Sequence, residues 1–153
     1  MTDPSPASYT TNAQDQREVA QLQARLRKKP RQGLAENFTA VPSVVIAQGA
    51  HKYCLLHAQT PTGDEQYIVT SKQGAHYHRN AAEPMIAMLE QAGYTDIEVK
   101  GGGRILLDEE ARKISIFGFS YGFGPANHAV SRQVVLEDPR YADFDVTISD
   151  EGY

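Results

Sequence analysis

Cysteine is nearly absent from the sequence. Cys54 stands alone in an apolar stretch, which excludes an internal disulfide framework and leaves too few thiols for a zinc cluster. No apolar run approaches the roughly 18 residues that a bilayer-spanning helix needs. The polar N-terminus also lacks the hydrophobic segment of a secretion signal, so an unsecreted, cytoplasmic chain in a reducing compartment is expected. Positive charge is scarce as well: 15 Lys and Arg stand against 19 Asp and Glu, a net charge of -4, which gives no general attraction for nucleic acid or an anionic membrane. Any anion site must therefore be local. What is present, 153 residues of which 41% are hydrophobic, suffices for one domain with a core that needs neither disulfide nor metal.

Residues Met1 to Gln16 are rich in Ser, Thr, Asn, Asp and Pro and predict a disordered tail. Gln14 to Lys29 has Val19, Leu22 and Leu26 at helical spacing, followed by the basic cluster Arg25, Arg27, Lys28, Lys29 and Arg31, with Pro30 and Gly33 as stops. A short, solvated, charged helix without assigned function is the expectation there, within a polar extension over residues 1–40. From Val41 the texture changes. Tyr53–Ala58, Gln66–Val69, Ile97–Val99, Arg104–Leu107, Ile114–Phe119 and Phe144–Ile148 read as six strands. Two helical patterns lie between them, one with Ala81, Met85, Met88, Leu89 and Ala92 on a face and the other with Val130, Val134 and Val135. The predicted order is β-β-α-β-β-β-α-β, an α/β domain over residues 41–153. Gly93 and Pro139 are placed to end the helices, Pro84 sits awkwardly inside the first, and Asp108 to Lys113 reads as the loop of an antiparallel hairpin.

Four segments could carry chemistry. His78 lies where a strand-like region passes into the first helix, so it can face an anion held by free N–H groups of the helix terminus. Its imidazole suits a general base or nucleophile near neutral pH, while an exposed loop histidine is the plainer local reading. Gly101-Gly102-Gly103-Arg104 offers unobstructed backbone N–H groups and a bidentate cation, or simply a turn or bulge. It has neither the Walker ending nor dinucleotide spacing. Phe117 to Pro125 alternates aromatic and small residues and supplies the Ser120 hydroxyl with several accessible N–H groups. His76 and His78 could share a strand face and bind a metal with His128 or His51, but no acidic or thiol ligands cluster beside them, so a metal site is not expected there. His57 reads as a structural or edge residue, and Lys52 as the charge that opens the first strand.

Taken in order, Val41-Pro42, Lys52-Tyr53, Tyr77-His78, Gly101-Gly102-Gly103-Arg104-Ile105, Tyr121 with Phe123-Gly124-Pro125-Ala126-Asn127-His128-Ala129, and the final Asp150-Glu151-Gly152-Tyr153 resemble the Janus and phosphohistidine phosphatase family over about three quarters of the chain. The resemblance implies a mixed six-stranded sheet flanked by two helices, and hydrolysis of the P–N bond of phosphohistidine with no metal or cofactor. It implies that His78 is the catalytic histidine and that Lys52, Arg104 and Ser120 lie near the phosphate. The backbone N–H groups of Arg79 and Gly122 would cradle the anion. Two positions depart from the family pattern: Thr70 stands where an arginine is common, with Lys72 as a substitute cation, and Arg79 occupies a usually small position. The implied partners are phosphohistidine-containing proteins or peptides, met by a monomer. The alternative is a non-catalytic phosphopeptide-binding or regulatory module of the same family.

Overall fold

Apolar residues alternate along the longest strands, and the two sets they form face two separate cores. A computed structural model of the chain describes residues 13–28 and 38–149. The first part of the expected tail, Lys29, Pro30, Arg31 and Gly33, and the final Asp150 to Tyr153 lie outside the described residues. Helix α1 spans Ala13–Lys28. It is followed by β1 (Val44–Val45), β2 (Gly49–Gln59), β3 (Glu65–Ser71), helix α2 (His78–Gln91), β4 (Thr95–Asp108), β5 (Lys113–Phe117), helix α3 (His128–Glu137) and β6 (Asp145–Ile148).

The strands form one six-stranded sheet in the order β1-β3-β2-β4-β5-β6, with parallel pairs at the two edges and antiparallel pairs between. In β2, Cys54, Leu56 and Ala58 face the core shared with α2, while Tyr53 and Leu55 face the core shared with α3. This is the period-2 alternation of a sheet covered on both sides. The mixed six-stranded sheet between helices is thus present, but its strands are not the six expected. Ile97–Val99 and Arg104–Leu107 are two ends of the single strand β4, and the sixth strand is the two-residue β1, too short to leave a pattern. From β1 onward the order is accordingly β-β-β-α-β-β-α-β.

A bulge explains the misreading of β4. Leu55 pairs with Gly101 and Leu56 with Val99, so Lys100 is an extra residue on the β4 side. One inserted residue reverses which face odd-numbered positions occupy. Ile97 and Val99 therefore join the α2 core while Ile105 and Leu107 join the α3 core.

The helix boundaries follow from local chemistry. α3 opens on Asn127, whose side chain accepts from the N–H groups of Ala129 and Val130, and ends at Asp138 just before Pro139. α2 ends with Gly93 at φ 86°, a conformation glycine adopts without strain. Pro84 lies inside α2. Its missing N–H leaves only the carbonyl of Asn80, in the first turn, without its usual donor. The buried face of α2 is Ala81, Ala82, Met85, Ile86 and Leu89; Met88, expected on that face, is 42% exposed, and Ile86 takes its place.

α1 departs most from expectation. It is helical from Ala13, inside the expected tail, and it is not a solvated element: Val19 and Leu26 are 3% and 4% exposed, and Leu26 belongs to the α2-side core. Burying such side chains is worth about 1.5–3 kcal/mol each before the cost of ordering the helix. Arg25 pairs with Glu90 of α2 at 2.9 Å.

Candidate functional site

The site is built where α2 begins, above the middle of β2 and β4. Tyr77 is extended (φ −128°, ψ 163°), and its N–H donates to Asn80 Oδ1 at 3.0 Å, so the chain turns into helix at His78. The N–H groups of His78 and Arg79 therefore open the helix, where no carbonyl four residues back lies within it. The His78 ring lies across Gly102: a Cβ on Gly102 would stand 2.8 Å from His78 Cδ2, 2.7 Å from Tyr53 O and 3.1 Å from Ser120 Cβ. Glycine is required here because two side chains meet over the strand.

His78 is 6% exposed, and its Nε2 lies 2.8 Å from the carbonyl of Gly103. A carbonyl only accepts, so Nε2 carries the proton and Nδ1 is the basic nitrogen of the neutral ring. Burial, joined by the positive charges of Lys52 and Arg104, lowers the His78 pKa to about 4, against the opposing effects of the Gly103 bond and Asp15.

Lys52 and Arg104 are register partners across β2 and β4. They share the α2-side face with Cys54 and Gly102, two residues along each strand. Burial and the neighbouring Arg104 lower the Lys52 pKa. Ser120, 2% exposed, accepts the Phe123 N–H on its Oγ at 3.1 Å, which leaves its O–H as a donor. Its loop is fastened to β4 by Gly102 N–H to Gly124 O at 3.0 Å and Ala126 N–H to Gly102 O at 3.1 Å. His78, Lys52, Arg104, Ser120 and the start of α2 with Arg79 thus converge. Cys54 is not a rival nucleophile: it is fully buried, burial raises its pKa, and its thiol faces His78 O at 3.3 Å.

The glycine run plays a different part from an N–H cradle. Gly101 to Gly103 pair with β2 inside β4, and their lack of Cβ serves packing. A Cβ on Gly101 would lie 2.5 Å from Pro125 O, and one on Gly103 would lie 2.4 Å from Phe117 O and 3.0 Å from His128 Cε1. The segment is neither a turn nor itself the bulge, which falls at Lys100 just before it, but paired strand. Thr70 is buried in β3 opposite Cys54, and Lys72 lies one residue beyond the strand and is exposed.

His128 does not join a metal group with His76 and His78. Its Nε2 donates to Gly118 O at 2.8 Å, and its Nδ1 accepts from the Tyr53 hydroxyl at 2.6 Å. Ser131 in turn donates to the Tyr53 oxygen at 3.0 Å. His51 contacts Gln48 O at 2.7 Å, and His57 pairs with Glu65 at 2.9 Å. Among the described residues no group of three or more His, Cys, Asp or Glu could hold a metal ion, and no helix is long and apolar enough to cross a membrane. A surface cleft lined by His57, Gln59, Glu65, Asp96 and Glu98 shares none of the site residues, and its acidic wall disfavours a phosphoryl ligand.

Sequence reasoning missed the part played by α1. Asp15 Oδ1 lies 2.5 Å from Arg79 Nε, Glu18 Oε2 lies 3.1 Å from Arg79 Nη2, and Gln16 Nε2 donates to Tyr121 O at 2.9 Å. A signal for it existed. Asp15, Glu18, Val19 and Leu22 fall on one helical face, and an apolar stripe that continues into acidic residues needs a partner that is apolar and then basic.

The geometry defines a class: a small α/β domain with a buried imidazole beside two cations, a hydroxyl and a helix N-terminus, suited to an oxyanion. Comparison of the sequence with known families makes this specific, since residues 38–145 match the model of the Janus/Ocnus family. The chain belongs to the Janus/Ocnus family. Among its curated relatives, the 14 kDa phosphohistidine phosphatase of Sus scrofa is 32% identical over 126 residues, covering 78% of this chain and 98% of that protein. The human protein of the same name is 31% identical over 124 residues, covering 76% and 97%. The sex-regulated protein janus-A of Drosophila pseudoobscura pseudoobscura is 32% identical over 124 residues, covering 77% and 81%.

Proposed function

We propose that this chain is a protein histidine phosphatase that hydrolyses the P–N bond of phosphohistidine in proteins or peptides, with the chemistry carried by residues 41–153. The observation that supports this most is His78 itself: a buried imidazole held by Gly103 O at 2.8 Å, with its second nitrogen basic and Lys52 and Arg104 acting electrostatically on it. The phosphatase names of two relatives point the same way.

In the proposed reaction Arg104, Lys52, the Ser120 hydroxyl and the N–H groups of Arg79 and Gly122 hold the phosphoryl oxygens. Since P–N bonds are labile, positioning and charge stabilisation are the main requirements. Water forms the new P–O bond as the P–N bond breaks, and the water proton passes to His78 Nδ1 and then to the leaving nitrogen. Direct attack by His78 on phosphorus is the variant of this scheme. A pKa of about 4 makes His78 a weak base in the free protein. A bound phosphoryl dianion offsets the two cations and raises its proton affinity where it is needed. No step uses a metal. The chain acts as a cytoplasmic monomer in this reading.

The test is phosphate release from a phosphohistidine peptide in the presence of EDTA, comparing the intact protein with His78→Ala. Release that the substitution abolishes is the expected outcome. Retention of the peptide with no release from either protein would replace the enzyme by a binding module, to which Thr70 and the ion-paired Arg79 would then belong.

A further inference from the structure

Arg79 and Gly122, which flank the proposed phosphoryl position, are both covered by α1. Asp15 and Glu18 share the Arg79 guanidinium at 2.5 and 3.1 Å, with the Asp15 and Arg79 side chains only 14% and 17% exposed. On the other side, a Cβ on Gly122 would meet Val19 Cγ2 at 3.0 Å and Asp15 Oδ2 at 3.7 Å, so the Asp15 carboxylate lies between the guanidinium and the glycine. Gln16 fastens the same turn of α1 to Tyr121 O at 2.9 Å. The contact is specific in chemistry, because a carboxylate lies between Arg79 and Gly122 and two acidic residues neutralise a cation beside the site.

We propose that α1 is an internal plug, in which the Asp15 carboxylate occupies the place of an incoming phosphoryl group beside Arg79 and Gly122, so that a phosphohistidine-bearing protein reaches His78 by displacing the N-terminal turns of α1. This rests on the phosphatase reading of the site. The competition is physically balanced. A phosphoryl group brings close to two negative charges and three strong acceptor oxygens against one charge and two oxygens for Asp15. Asp15 has the advantage of being tethered, at an effective concentration of the order of mM. A plug closed in about nine molecules of ten weakens apparent affinity about tenfold, and anything that binds α1 removes that penalty.

The experiment uses the full chain and three readouts: the Kd for inorganic phosphate by phosphorus NMR, hydrogen exchange of the α1 amides with and without saturating phosphate, and release from a phosphohistidine peptide. Asp15→Asn with Glu18→Gln should bind phosphate about tenfold more tightly and turn over faster at low substrate, and Val19→Ala, which keeps the charges, should move in the same direction. In the unaltered chain, phosphate should speed exchange in α1. Equal phosphate affinity in all forms, with α1 exchange unmoved by phosphate, overturns the plug and leaves the phosphatase reading standing. Slower release from Asp15→Asn also overturns it, since Asp15 would then belong to the working site. Failure of any form to bind phosphate, including those with α1 loosened, overturns both.

Discussion

Lowering the pH through the ordinary histidine range should leave His78 neutral. A ring with the usual pKa of 6.5 is about nine-tenths protonated at pH 5.5, whereas one at about 4 is only about 3% protonated, so the two cases are easily separated. The difference corresponds to roughly 3 kcal/mol against charging the buried ring beside Lys52 and Arg104. The kcat/KM for a phosphohistidine peptide, corrected for the acid-catalysed background and for the substrate's own phosphoryl ionisation near about pH 6, should therefore stay level from pH 8 to about 5 and fall only near pH 4. The limb in kcat should lie higher, because that profile reports the complex, in which the phosphoryl charge opposes the two cations. Proton NMR of the ring would follow the same event directly, and added phosphate should shift its midpoint upward. Stability carries the same signature with a definite sign. Between pH 6.5 and about 4 the unfolded chain binds the proton and the folded chain does not, so His78 makes stability fall as pH drops through that window, by up to roughly 3 kcal/mol. A midpoint near 6.5 for His78 in the free protein would refute the argument, since it would mean that the ring is solvated and the burial does not exist in solution.

The remaining predictions concern the sheet beneath the ring. Arg104→Lys keeps the charge but loses the planar fork, so KM for a phosphohistidine peptide should rise by about tenfold with the fold intact; unchanged kinetics would remove Arg104 from the site. Gly103→Ala places a Cβ 2.4 Å from Phe117 O and should cost about 3 kcal/mol or more in urea unfolding. Tyr53→Phe removes the hydroxyl that serves both His128 and Ser131, and the buried acceptor left on His128 should lower stability by about 1–3 kcal/mol while activity survives.

What the sequence reveals, and what it hides, follows from how local each signal is. Cys54, Leu56 and Ala58 alternate with Tyr53 and Leu55 strongly enough to mark β2 without any knowledge of its neighbours. Pro139 and Gly93 end helices by their own backbone limits. β4 is different. Its apolar pattern changes face at Lys100, and the adjoining glycines look like a turn, although what they record is the closeness of His78, His128 and Pro125. No property of Gly102 alone says that two side chains will cross above it. Val44 and Val45 form a strand only because β3 lies alongside. His78, Arg104 and Ser120 stand out in the sequence because each adjoins a helix start or a glycine-rich segment, whereas Asp15 does not, since an acidic residue in a polar segment is ordinary until its partner is known.

His78 and His128 show how little separates a proposed reactive histidine from a structural one. They sit on opposite faces of β4, 6% and 5% exposed, and in each the Nε2 atom meets a backbone carbonyl at 2.8 Å. The difference is in what surrounds each ring. The Nδ1 of His128 accepts from the Tyr53 hydroxyl at 2.6 Å, and Ser131 completes the chain, so its ring is held within a buried polar chain. His78 opens a helix beside Lys52, Arg104 and Asp15, all of which act on its charge. Burial fixes both rings, and the charges around His78 let its proton affinity rise when an anion arrives, which is the property a phosphoryl-transfer base requires. By this reasoning, substituting His128 should act on stability and substituting His78 on turnover, even though the two imidazoles are almost equally buried.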